Sequence, residues 1–238
     1  MCNETKYISN LKKQPPVITI DGSSSAGKGT IALKVAQALH WHILDSGIIY
    51  RTIAWALSYY SVSLADQKGM LNLLKGLQIE VESQPFVRNL KVSCNQHDVT
   101  DAIRSEKCGA LASKASALLV VRQAVLQYQH DFRRWSGLVA DGRDMGTVVF
   151  PNATLKFYFD ANPQERAYRR YKQLQERGIN VRLRDIQEDL KERDHRDVNR
   201  MISPTKPAVD ALIIDTSKLS IEEVFVIVMN HIKKRGLG

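Results

Sequence analysis

The residues best equipped for chemistry lie together in Gly22-Ser23-Ser24-Ser25-Ala26-Gly27-Lys28-Gly29-Thr30. Val17-Ile18-Thr19-Ile20-Asp21 precedes them as an apolar, β-branched run that predicts a buried parallel strand. Ile31-Ala32-Leu33-Lys34-Val35-Ala36-Gln37-Ala38-Leu39 follows with helical spacing, so a helix over 28–40 is expected. Strand, glycine-bounded loop, Lys and helix have the form of a phosphate-binding loop. Backbone N–H groups can turn inward around an anionic oxygen, and the helix N-terminus adds partial positive charge. Lys28 can then reach outer phosphates as a point charge. The usual pattern places Ser or Thr directly after the Lys to hold Mg2+. Gly29 stands there instead, with Thr30 one later, which argues against a direct hydroxyl–metal bond. The plain structural alternative is a glycine-bearing turn that caps a helix.

Three further clusters fall where ligands of a parallel sheet would sit. In Leu44-Asp45-Ser46-Gly47-Ile48-Ile49-Tyr50-Arg51, Ser46 is placed to cap the helix it begins, while Arg51 could reach an anion. Asp141 ends an apolar strand, where phosphate-loop enzymes often keep an acid near the metal, and Gly142-Arg143-Asp144 follows it. The alternative there is a surface Arg143–Asp144 pair of little energetic weight. Arg193, Arg196, Asp197 and Arg200 share one helix face at i, i+3, i+4 and i+7. Such spacing commonly marks a solvated, salt-bridged helix, but so cationic a face would also be relieved by a bound phosphate.

The elements that must position these residues can be read from the hydrophobic periods. Short strands are predicted at 41–45, 138–141, 155–160 and 211–215, besides the first. Helices are expected over 104–118, 120–135, 162–177, 184–200 and 220–234. Asp21, Asp45, Asp141 and Asp160 would lie at the carboxyl edge, where such sheets bind ligands. From 77 to 100 the period falls to two, with Pro85 and Asn95 near the turns, which predicts a small antiparallel sheet inserted into a helix-rich region.

The chain has 238 residues with 44% hydrophobic content, enough for one α/β unit with an insertion. No apolar stretch approaches the roughly 20 residues of a membrane span, and the N-terminus lacks a signal-peptide core. Cys2, Cys94 and Cys108 are too scattered for a disulfide framework or zinc site, so a cytoplasmic enzyme is expected. The net charge of +9 suits nucleic acid or polyanionic small molecules. Acids interleave with bases in Lys191-Glu192-Arg193-Asp194-His195-Arg196-Asp197, which argues against a nucleic-acid stripe.

Taken together, these motifs resemble the bacterial-type cytidylate kinases of the nucleoside monophosphate kinase family. The phosphate loop with Gly27-Lys28-Gly29-Thr30 carries the likeness, with Leu44-Asp45-Ser46-Gly47 and Tyr50-Arg51. So do Asp141-Gly142-Arg143-Asp144-Met145-Gly146-Thr147-Val148-Val149-Phe150-Pro151, Lys191-Glu192-Arg193-Asp194, Arg196-Asp197 and Asn199-Arg200. The likeness spans about 16–230, and Ser25 departs from it where the family usually has another Gly.

The resemblance implies a phosphate-loop kinase fold: a five-stranded parallel sheet with helices on both faces, a small antiparallel insertion and a short helical lid. Residues 1–14 would be a tail and 15–238 one kinase unit, with a monophosphate-binding region at 46–136 and a lid at about 162–182. It implies phosphoryl transfer from Mg–ATP to CMP or dCMP. Residues 22–30 would hold ATP. Lys28, Arg143, Arg193 and Arg200 would be catalytic, and Arg51, Arg143 and Arg200 would clamp the acceptor phosphate. Ser46 would belong to the monophosphate site; Ser113, Arg122 and Asp144 would read cytosine; Arg193 and Asp197 would face the pentose. Protein ligands for Mg2+ stay open. A monomer acting on free nucleotides is expected, with no nucleic-acid or membrane partner. A kinase for UMP or AMP is the nearest alternative. A nucleotide-controlled switch would need an Asn-Lys-x-Asp motif, which is absent.

Overall fold

The computed structural model describes residues 14–82 and 90–237. Its centre is β1 (Val17–Gly22), buried along its whole length. Parallel strands flank it on both sides: β2 (His42–Asp45), β6 (Leu138–Asp141), β7 (Leu155–Asp160) and β8 (Leu212–Asp215) complete a sheet of order β2-β6-β1-β7-β8. Burial on two faces explains why these strands read as near-continuous apolar runs. Alternate residues feed separate cores. Val17, Leu44, Leu138 and Ala140 face one core, while Ile18, Ile20, Val139, Phe157 and Phe159 face the other.

The second core is closed by α1 (Lys28–Leu39) and α8 (Ile221–Lys234). The first is closed by α2 (Ser46–Tyr59), α3 (Gln67–Lys75), α4 (Glu106–Ala115) and α5 (Leu119–His130). The expected antiparallel insertion is β3 (Ile79–Glu82), β4 (Lys91–Cys94) and β5 (His97–Asp98). Asn95 and Gln96 turn the last hairpin with φ of +47° and +68°, the left-handed pair that a tight hairpin needs. Pro85 lies outside the described residues. The remaining helices, α6 (Pro163–Gln175) and α7 (Leu183–Asn199), share a small core of Ala167, Leu174 and Ile186.

Several boundaries differ from the sequence expectation. The helix expected over 104–118 starts only at Glu106, because Ala102–Arg104 forms a separate 3-10 turn and the Ser105 hydroxyl caps α4. The one expected over 120–135 ends at His130. Helix α3 was not assigned from sequence; the Asp66 side chain starts it by accepting from Gly69 N at 2.8 Å. Of the expected tail, only Gln14 is described, and its Oε1 accepts from Arg133 Nη1 at 2.6 Å. Cys94 and Cys108 are buried free thiols, while Cys2 lies outside the described residues. Among the described residues no single helix is long and apolar enough to cross a membrane; α4 with α5 reaches that composition only across a 100° bend.

Candidate active site

The parallel register aligns the strand ends. Asp45 pairs with Asp141, Asp141 with Ile20, and Asp160 with Asp215. The expected carboxylate edge is therefore real, and the phosphate loop leaves from its middle. Gly22 must be glycine: a Cβ there would stand 2.0 Å from the Phe159 carbonyl oxygen. Gly27 (φ +87°) and Ser25 (φ +60°) both take left-handed backbone, which glycine adopts freely and serine at some cost. Gly27 gives no side-chain cap to the first turn of α1, and uncapped amides of this kind suit an anion.

Lys28 opens α1 and is buried. Its Nζ donates to the Ser23 carbonyl at 2.8 Å and lies 4.0 Å from Asp141 Oδ1. Burial, then the neighbouring Arg143 charge, pushes the Lys28 pKa down. Burial pushes the Asp141 carboxyl up, against the pull of Lys28.

On the other side of the edge, Asp45 ends β2 and also caps α2, its Oδ1 accepting from Ile48 N at 3.2 Å. This corrects the capping role considered for Ser46, which is the first helical residue and is buried. The Ser46 hydroxyl faces Gly142, where a Cβ would stand 2.8 Å from its Oγ. Arg51, on the next turns of α2, donates to the carbonyls of Ile103 (2.8 Å) and Ser105 (3.0 Å). Its guanidinium lies against Gly109 of α4, where a Cβ would come within 2.6 Å of Nη2.

Arg143 and Asp144 do not pair with each other. Arg143 turns toward the phosphate loop: Nη2 donates to Ser24 Oγ at 2.7 Å and Nε to Asp197 Oδ2 at 3.1 Å. Asp144 turns the other way and is buried against Arg122. Arg122 also donates to the Ser116 carbonyl (2.9 Å) and Ser203 Oγ (3.1 Å), and lies 5.7 Å from the Tyr50 ring centre. The surface-pair alternative is thereby overturned. Each member is occupied elsewhere: Arg143 reaches toward the phosphate loop, and Asp144 toward Arg122 of α5.

Helix α7 supplies Arg193, Arg196 and Asp197, whereas Arg200 lies one residue past its end in extended backbone. The expected four-residue helix face is thus three helical residues and a cap. Arg193 Nε lies 4.0 Å from Asp197 Oδ2, and Arg200 Nη2 lies 3.9 Å from Asp144 Oδ1. Both nitrogens are buried and have no hydrogen-bond partner. Burial, then the Arg143 charge, lowers the Arg193 pKa to about 10. Arg196 contacts Ser113, its Nε lying 3.3 Å from the buried Oγ.

A single cleft of about 1070 Å3 collects Ser24 through Thr30, Ser46, Arg51, Ser113, Arg122, Arg143, Asp144, Arg193, Asp197 and Arg200. Gly22 and Ser23 lie behind it, serving the turn and the Lys28 contact. The cleft also takes Arg196 and, beyond the residues expected from sequence to bind, Arg169 and Arg170 of α6 and Tyr50. Spacing of i, i+3 and i+4 for Arg166, Arg169 and Arg170 was the available signal. Arg166 is buried and donates to the carbonyls of Ala161 (3.0 Å) and Ser24 (3.2 Å), and Arg170 pairs with Glu106 of α4 across the cleft.

A family model described as cytidylate kinase matches residues 18–234. A cytidylate kinase of Coxiella burnetii is 66% identical over 96% of this chain and 97% of its own length. Those of Shewanella denitrificans and Nitrosococcus oceani are each 47% identical, covering 94% and 90% of this chain and 98% and 95% of their own. With an anion-ready loop and a buried arginine cluster facing each other across one cleft, the chain belongs to the cytidylate kinase family.

Proposed function

We propose that this protein transfers the terminal phosphoryl group of ATP to CMP or dCMP, giving ADP and CDP or dCDP. One observation carries the reading: Arg193 Nε and Arg200 Nη2 are buried beside the cleft without hydrogen-bond partners. An unmet buried donor is expensive, and a charged one more so. The pentose and phosphate oxygens of a nucleotide entering the cleft would satisfy such donors, and its dianionic phosphate would offset the excess of guanidinium charge.

The amides of residues 22–30 and Lys28 hold the ATP phosphates. Lys28 exchanges its contact with the Ser23 carbonyl for phosphate oxygens, and a nearby anion restores the charge that burial disfavours. Arg51, Arg143 and Arg200 clamp the acceptor phosphate; Ser46 lines the same pocket; Arg193 and Asp197 face the pentose. Ser113, Arg122 and Asp144 meet the base. Cytosine presents an amine donor where uracil presents a carbonyl acceptor, so an ionised Asp144 accepts from the first and repels the second. An acceptor phosphate oxygen is already nucleophilic, so the protein's work is alignment and charge stabilisation, and no general base is needed.

Mg2+ arrives with ATP, and Asp141 suits it: a carboxylate at the strand end beside the loop, disfavoured as an anion by burial. When bound, Mg2+ neutralises charge on the transferring phosphates. Residues 15–238 act as one kinase unit, in which 46–136 form the acceptor arm and about 162–182 the lid whose arginines cover the transferred group. Closure of that lid excludes water, the competing acceptor. The protein works in the cytoplasm as a monomer on free nucleotides, in pyrimidine metabolism, without a nucleic-acid or membrane partner.

A coupled ADP-release assay with CMP, dCMP, UMP and AMP as acceptors tests the reading. Turnover should depend on CMP or dCMP and be much weaker with UMP and AMP. Turnover independent of any monophosphate, or a preference for UMP or AMP, would overturn it.

A further inference from the structure

Asp21 is a buried carboxylate at the end of β1, 4% exposed, and it does not line the cleft. It lies one residue from the start of the phosphate loop. Its Oδ1 accepts from Met145 N at 2.8 Å and its Oδ2 from Gly146 N at 2.7 Å. Those amides open a π-helical turn, Met145–Val149, whose own preceding residue provides no side-chain cap. The cap comes instead from a neighbouring strand, through both carboxylate oxygens. Two parallel bonds fix rotation as well as distance. The two residues just before the turn are Arg143 and Asp144.

The approach is close by construction. A Cβ on Gly146 would stand 3.3 Å from Asp21 Oδ2 and 2.8 Å from Thr19 Oγ1. Burying a carboxylate is costly, and burial raises the Asp21 pKa to about 6 even with both amides donating to it. A neutral residue would avoid that cost, but it could not accept from two amides at once with equal geometry.

We propose that Asp21 is a positioning residue that registers Arg143 and Asp144 against the phosphate loop, setting phosphoryl-transfer geometry and base selectivity without touching either nucleotide. The proposal rests on the kinase reading above. Arg143 already bridges to Ser24 of the loop, so a shift of the turn moves that contact and the Asp144–Arg122 contact together. Misplacement by about 1 Å can cost on the order of 10²-fold in rate.

The test is Asp21→Asn, which keeps the shape but loses one acceptor. Wild type is assayed first with CMP, UMP and ATP. For a folded variant, kcat should fall about tenfold or more. The CMP-to-UMP ratio of kcat/KM should also fall, while the KM for ATP stays within about twofold. An unchanged CMP-to-UMP ratio would overturn the proposal, because a merely structural acid lowers both substrates alike. If the variant does not fold, hydrogen exchange at the Met145 and Gly146 amides of the wild type decides. Protection equal to that of β6, with and without CMP, supports the tether; exchange as fast as exposed backbone refutes it. Absence of CMP-dependent turnover in the wild type would instead refute the kinase reading, and the exchange measurement would still report on the tether.

Discussion

The two walls of the cleft are made differently. The phosphate-loop wall comes from one run, residues 22–30, and consists largely of backbone: glycines, a serine in glycine-like geometry and a free helix start. The opposing wall draws side chains from α2, α4, α5, the turn after β6, and α7 with its cap. Backbone amides need no counterion, so the first wall depends on backbone shape, which Gly22 and Gly27 fix. Buried guanidiniums are costly when unpaired, so the second wall carries its own acids, Asp144 and Asp197, each shared by two arginines. Lys28 is the exception on its side, a buried charge leaning on Asp141.

That contrast can be broken experimentally. Lys28→Ala removes the one side chain on which the backbone wall depends. Loss of a charge clamp of this kind costs about 3 kcal/mol of barrier stabilisation, roughly 10²-fold in kcat. Circular dichroism and thermal melting should stay close to wild type. Near-normal turnover from that protein would show that the amides suffice.

On the other wall, Arg200→Ala should lower kcat/KM for CMP by about 10- to 100-fold, as expected for a hydrogen bond to a charged group. Arg184 is exposed and pairs with Glu188 within α7, and Arg184→Ala should change it by no more than about twofold. Similar constants for the two variants would return α7 to the role of a solvated, salt-bridged helix.

Asp144→Ala sharpens the comparison, since the acid is both counterion and candidate base reader. It should harm CMP more than UMP, narrowing their ratio by about tenfold. Equal losses would show that Asp144 only neutralises Arg122 and Arg200. The smallest effect belongs to the backbone wall. Ser25→Gly relieves a left-handed serine but adds chain entropy, so stability should move by less than about 1 kcal/mol. The KM for ATP should change by no more than about twofold, measured beside the melting temperature.

The same contrast governs what could be read before the structure. The phosphate loop was legible because its residues are contiguous and their order fixes a conformation. The strand-end acids were legible because short apolar runs end in them. Pairings across the sheet were not, because they depend on β6 lying between β2 and β1, an order that periodicity does not carry. Nor could spacing name the partners of Arg143 and Asp144, Asp197 and Arg122, which come from helices distant in sequence. Helix α3 could have been read: Met70, Leu73 and Leu74 stand at i, i+3 and i+4 and pack against the first core.

One junction described above has a mechanical side. Asp45 ends β2 and caps α2 with no residue between them, so that join has no slack to serve as a hinge. Helix α2 then runs 14 residues, about 21 Å, from the sheet edge. The tip is where Trp55 stacks on Tyr59 at 4.7 Å and Tyr59 meets His97 of the inserted sheet at 5.2 Å. With no hinge at Asp45, the insertion is braced through α2 against the sheet edge that carries Ser46.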